Sequence, residues 1–286
     1  MNTTIEHLKI DVGEVQLHVA AAGPADGEPL FFLHGFPEYW YAWQAQLEHF
    51  AELGYRVYAP DQRGFGDSDK PEQVTDYHIN KLAGDILGLM DALGYERAHL
   101  VGHDWGGILT WHLLCWHAER FKRVVILNAP HLSIWRNGML KTPGQMLKSW
   151  YVFAFQLPTA PEQITGMRAG GLLLWLSGLH KVLNADDKTR YKKAYDGALK
   201  TMINWYRAAM RFSEDSARVP NATIDTPLLI IWGRDDRFLS EQLARDCMEL
   251  CSNARLEFIN DASHWLIHEQ PTKINESIET FLQATK

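Results

Sequence analysis

Apolar residues in this chain fall into short blocks with two different periods, separated by polar, glycine-containing turns. Residues 5–12 and 15–21 alternate in polarity as half-buried strands do, and Gly13-Glu14 between them reads as a hairpin turn. Residues 30–33, 98–101 and 124–127 are continuous apolar runs, the pattern of strands covered on both faces, and 55–59 is a further strand. Helical spacing over 43–53 and 79–93 stops at Gly54 and Gly94, and a third helix is expected over 107–117. From about 130 to 220 the strand signal fades and aromatic-rich helical stretches take over. Alternation resumes with a strand over 227–232, a helix over 241–250, a strand over 256–259 and a last helix over 272–283.

Eight strands alternating with helices through short connections predict an α/β domain, a mostly parallel eight-stranded sheet with helices on both faces. The interruption predicts a helical cap, 130–220, inserted after the sixth strand of a core formed by 1–129 and 221–286. Such a cap would lie over the carboxyl ends of the strands, where open α/β sheets bind ligands.

Composition narrows the function classes. With 46% hydrophobic and 22% charged residues the chain is of ordinary globular type, and a net charge of −7 disfavours nucleic acid as a partner. The N-terminus lacks a basic and apolar leader, and the longest apolar run, 170–179, is too short to span a membrane. Three cysteines, Cys115, Cys247 and Cys251, are expected as reduced thiols of a cytoplasmic protein. The 13 histidines show no metal-ligand spacing, so neither a metal nor another cofactor is expected. The glycine-rich stretch 61–68 fails the phosphate-loop patterns and reads as a structural turn.

The chemistry concentrates at Gly102-His103-Asp104-Trp105-Gly106-Gly107, between a buried strand and a helix. This is the context of the G-x-S-x-G nucleophile elbow, with aspartate where the serine would stand. A serine attacking a saturated carbon would leave a dead-end ether. A carboxylate doing so forms an ester that water reopens at the aspartyl carbonyl. The bland reading, an N-capping aspartate, is common for a lone motif of this kind. Its partners weigh against that. His264 follows the last strand and fits the water-activating base, and two aspartates, Asp235 and Asp236, are candidates for the acid after the strand ending at Trp232. An acid after the sixth strand is excluded, because Asn128 stands there. The amides of Phe36 and Trp105 are placed to hold an oxyanion on Asp104.

His34-Gly35-Phe36-Pro37-Glu38, Gly102-His103-Asp104-Trp105-Gly106-Gly107, Trp232-Gly233-x-x-Asp236 and Ser263-His264-Trp265 together resemble the epoxide hydrolase branch of the α/β-hydrolase superfamily. The resemblance spans nearly the whole chain and implies Asp236 as the acid, with Asp235 as its fallback. It implies that Tyr151, four residues before Phe155-Gln156, and Tyr206, in Asn204-Trp205-Tyr206-Arg207, activate the epoxide oxygen from the cap. It further implies a substrate pocket touching His34, Pro37, Trp105, Phe155 and Trp205, with a small apolar epoxide and water as the reactants. Trp135, Phe153, Phe155 and Trp175 are the cap aromatics expected to favour an apolar substrate. A dehalogenase sharing the Asp104–His264 pair is the alternative, although Phe36 stands where haloalkane dehalogenases carry an asparagine. A non-catalytic small-molecule receptor on the same fold is the third reading. A homodimer is left open.

Overall fold

The computed structural model describes residues 4–141, 143–159, 161–163, 170–212 and 223–284. Its strands, β1 (Glu6–Asp11), β2 (Gln16–Ala22), β3 (Pro29–Leu33), β4 (Arg56–Pro60), β5 (Ala98–His103), β6 (Phe121–Leu127), β7 (Leu228–Gly233) and β8 (Ala254–Ile259), form one sheet in the order 1-2-4-3-5-6-7-8. Only β1–β2 and β2–β4 pair antiparallel; every pairing from β4 through β8 is parallel.

The continuous apolar runs arise because consecutive side chains serve two different cores. Phe32, Val101, Leu127 and Ile231 pack with Leu47 and Phe50 of α1 (Gln44–Glu52) and with two isoleucines, 274 and 278, of the C-terminal helix. Phe31, Leu100, Ile126 and Ile230 face the other way, onto α2 (Ile79–Ala92) and α3 (Trp105–Trp116). The expected helix over 43–53 is a 3-10 turn, Trp40–Trp43, followed by α1.

Between β6 and β7 lie α4 (Leu132–Lys141), α5 (Pro143–Lys148), α6 (Trp150–Ala154), α7 (Gly171–Ser177), α8 (Ala185–Ala194) and α9 (Leu199–Arg211), with a 3-10 turn at Leu179–Lys181. The expected end of the cap at 220 lies outside the described residues. Val152, Leu173, Tyr191 and Met202 from these helices share one apolar cluster with Phe36 and Trp105 of the sheet layer. The 61–68 turn anchors α9: Trp205 Nε1 donates to Arg63 O at 3.0 Å and Thr201 Oγ1 to Gly64 O at 2.7 Å. Arg63 is itself fixed by a buried fork onto Asp85, at 2.8 and 2.6 Å. The chain closes through α10 (Glu241–Met248), α11 (Leu266–Glu269) and α12 (Pro271–Gln283). Among the described residues no helix is long and apolar enough to cross a membrane.

Candidate active site

Asp104 sits between β5 and α3 with φ 51° and ψ −119°, a strained conformation for a residue with a Cβ. Two glycines make the surroundings possible. A methyl on Gly106 would approach the His34 carbonyl to 2.6 Å, and one on Gly35 would collide with Asp104 Cβ and lie 2.8 Å from its Cγ. Gly35 thus lets the 34–38 loop close onto the carboxylate, where the Phe36 N–H donates to Asp104 Oδ1 at 2.7 Å. Trp105, first residue of α3, leaves its amide among the unsatisfied donors of the helix start. The Phe36–Pro37 bond is cis. Behind the loop, buried His34 donates from Nδ1 to Gly35 O at 3.0 Å and accepts the Gln62 amide at Nε2 at 3.1 Å. Burial pushes its pKa down, in keeping with a neutral ring that accepts at Nε2.

His264, between β8 and α11, donates from Nδ1 to Asp236 Oδ2 at 2.7 Å, with Nε2 3.5 Å from Asp104 Oδ2. Asp235 is exposed, whereas Asp236 is buried and its carboxylate is fully engaged. Oδ1 accepts the amides of Phe238 and Leu239 at 2.7 and 2.9 Å, and Oδ2 accepts Asn128 Nδ2 at 2.6 Å as well as the imidazole. Asn128 is locked in that orientation because its Oδ1 accepts the Gly233 amide at 2.8 Å. Dismissing position 128 for its lack of charge therefore overlooked a neutral side chain that orients the carboxylate. Burial opposes charge on His264, yet Asp236 and Asp104 outweigh it and raise the imidazole pKa to about 10. Burial likewise opposes charge on Asp236, but the His264 cation and the donors around it hold its pKa below the usual range.

A second buried network underlies this one, and sequence reasoning missed it. His103, beside Asp104, donates from Nε2 to the His264 carbonyl at 2.8 Å and faces Glu38 Oε2 through Nδ1 at 3.2 Å. Glu38 also receives His268 Nε2 at 2.5 Å and the Tyr191 hydroxyl at 3.3 Å. Burial pushes the Glu38 pKa up, but the two histidines more than reverse this and hold it far below normal. One carboxylate thereby ties together the 34–38 loop, the elbow, the His264 segment and α8. The adjacency of Glu38 to Pro37 and of His103 to Asp104 was the available signal.

The cavity above Asp104 has a volume of about 540 Å³ and is mostly apolar. Tyr151 and Tyr206 both face it, with ring centroids 5.9 Å apart. Burial, together with Asp104 and, for Tyr206, Tyr151, raises both phenol pKa values well above normal, so both are neutral donors at pH 7. The Trp105 ring stands edge-on to Tyr206, with ring centroids 4.8 Å apart. Phe155 lines the cavity, whereas His34, Pro37, Trp105 and Trp205 are not in its lining. Trp205 is turned instead onto Arg63 and packs against Phe65 and Trp105. Of the other cap aromatics, Trp135 is buried in the core, while Phe153 and Trp175 are exposed. The apolar lining combines aromatic rings, among them Phe36, Trp150, Phe155 and Phe238, with aliphatic residues such as Leu147, Leu157 and Leu173. Among the described residues no cluster of three or more histidine, cysteine or acidic side chains is placed to hold a metal.

Comparison with known proteins gives the same architecture a family. Residues 28–271 match the α/β hydrolase fold family. The AB hydrolase superfamily protein YfhM of Bacillus subtilis is 40% identical, over 96% of this chain and 96% of its own. Epoxide hydrolase 3 of Xenopus tropicalis is 34% identical, over 97% of this chain and 77% of its own. A crystal structure of a Bacillus megaterium epoxide hydrolase in complex with an inhibitor superposes with a TM-score of 0.88 at 28% identity, covering 97% of this chain and 100% of that one. The chain belongs to the α/β hydrolase fold family and, within it, to the epoxide hydrolases.

Proposed function

We propose that the protein hydrolyses apolar epoxides to vicinal diols in two steps, with Asp104 as nucleophile. One observation carries the reading: Asp104, His264 and two neutral tyrosine hydroxyls face a single apolar cavity. Asp104 attacks a ring carbon, the C–O bond breaks, and Tyr151 and Tyr206 hydrogen-bond and protonate the departing oxygen. Esterification removes the Asp104 charge that helps hold the proton on His264. The imidazole pKa then falls, and the proton it loses replaces the one a tyrosine gave. Neutral His264, oriented by Asp236, next takes a proton from water as it adds to the ester carbonyl. The Phe36 and Trp105 amides hold the oxyanion, and collapse of this intermediate releases the diol and restores Asp104.

Residues 130–220 act in this scheme as a cap that delivers the two tyrosines. The scheme calls on no cofactor, and the three free thiols fit a cytoplasmic setting. Dehalogenation ranks second: Phe36 stands where the halide-holding asparagine of such enzymes would be, and the Trp105 ring packs edge-on against Tyr206. A receptor reading ranks third because it leaves the strained Asp104 unused. The test is to mix a His264→Gln variant with styrene oxide and weigh its peptides. The Asp104 peptide should gain the mass of the epoxide and retain it; an unmodified Asp104 peptide overturns the covalent scheme.

A further inference from the structure

The exposed apolar surface of this protein is concentrated in one place. Among the described residues nine large apolar side chains are exposed, and seven of them fall within positions 146–176. Four of the seven, Leu147, Trp150, Leu157 and Leu176, rim the cavity, which brings α5, α6 and α7 to one face. The other three have no share in the cavity lining. Met146 adjoins Leu147, Phe153 stands one helical turn beyond Trp150, and Trp175 adjoins Leu176, at 51%, 51% and 61% exposure. Substrate contact does not account for them. Single apolar residues are normal on a surface, but a contiguous group marks a place where something docks.

Charge is polarised along with it. Residues 130–220 carry 13 lysines and arginines against six acidic residues, although the whole chain has a net charge of −7. The cap is therefore basic and the core strongly acidic. Within 143–159 and 170–181 there are two lysines and no acidic residue. Lys148 ends α5, and Lys181 is exposed at the end of the 3-10 turn after α7. Arg237, also exposed, donates to the Leu176 carbonyl and so joins the same rim. The hydrogen-bond partners of Lys148 and Arg237 are backbone carbonyls, which leave their charges unneutralised.

An apolar patch fringed by cations fits an anionic lipid surface. Tryptophan, phenylalanine and leucine settle at the headgroup level of a bilayer, while lysine and arginine are drawn to its negative charge. A second copy of the chain fits less well. Two caps meeting face to face would oppose like charges, and a cap set on another copy's acidic core would make a head-to-tail contact that continues into rings or filaments. We propose that the face formed by α5, α6 and α7 docks the protein reversibly onto membranes rich in anionic phospholipid. Docking of this kind needs no spanning helix. It is also independent of which reaction the cavity performs.

The experiment floats the protein with vesicles of phosphatidylcholine alone and with vesicles containing about 30% phosphatidylglycerol, at low salt. The wild type should bind the anionic vesicles at least about tenfold more tightly, and should lose most of that excess in about 0.5 M salt. Lys181→Glu should weaken binding to them about tenfold, since each cation near such a surface is worth about fivefold and the change reverses a charge. A variant combining Met146→Ser, Phe153→Ser and Trp175→Ser should weaken it about 10²-fold, from lost apolar burial. Its melting temperature should stay near native, because all three side chains face solvent. No binding to either vesicle by the wild type overturns the proposal. Equal binding to both lipids overturns it too, as does undiminished binding by the triple-serine variant. Self-association of the wild type in sedimentation velocity, lost in that variant and without vesicle binding, makes the face an interface between copies and overturns the lipid assignment.

Discussion

Asp236→Asn isolates the role of the acid because the donors around it leave the new amide only one way to sit. In the native site Oδ1 accepts two backbone amides, so the asparagine oxygen must take that position. The amide nitrogen then occupies the place of Oδ2, facing His264 Nδ1 and Asn128 Nδ2. Asn128 cannot turn to accept, since its own oxygen is held by the Gly233 amide. His264 is left as the partner that must yield: it moves its proton to Nε2 and accepts at Nδ1. That tautomer presents a donor, not a base, toward the ester. In serine proteases the corresponding change costs about 10⁴-fold in turnover, or roughly 5 kcal/mol at about 1.4 kcal/mol per decade. Asp104 and the tyrosines are untouched, so ester formation should continue. Single-turnover mixing with styrene oxide, quenched for mass spectrometry, should show the Asp104 ester forming within about tenfold of the native rate. Steady-state diol release should fall about 10³-fold or more. A large loss of turnover without accumulated ester would refute the reasoning, as would near-native diol release.

Further outcomes follow from other parts of the site. Replacing Tyr151 and Tyr206 together by phenylalanine should slow epoxide opening roughly 10²-fold or more while melting temperature stays close to native, measured by diol formation and calorimetry. Gly35→Ala should lose activity and destabilise the fold by about 1–3 kcal/mol in denaturant titrations, because its methyl meets Asp104. The pKa of His264 is raised to about 10 in the fold, against about 6.5 unfolded. Its stabilising contribution is therefore complete below about pH 6.5 and is lost as pH rises through about 10. Melting temperature should fall over that window in the native protein and fall less in His264→Gln; parallel profiles would show that the pair contributes nothing.

Much of this molecule is written locally. The apolar runs at 30–33, 98–101 and 124–127 announce strands covered on both faces, because alternate side chains of one short segment enter two cores. The spacing of Gly102, Asp104 and Gly106 announces the elbow, since a tight strand-to-helix turn depends on residues adjacent in the chain. Other features were settled only by folding. Asp235 and Asp236 are neighbours with identical chemistry, and only the packing of the 233–240 loop exposes one and buries the other. Asn128 reaches Asp236 across 108 positions, and Glu38 meets His268 across 230. Which cap aromatics face the cavity depends on how α9 is pinned to the 61–68 turn; that pinning turns Trp205 away while its neighbour Tyr206 faces the cavity. Periodicity reports which face of an element is apolar. It carries no record of which distant carboxylate, amide or ring will close against that face, because those contacts depend on the relative placement of whole elements.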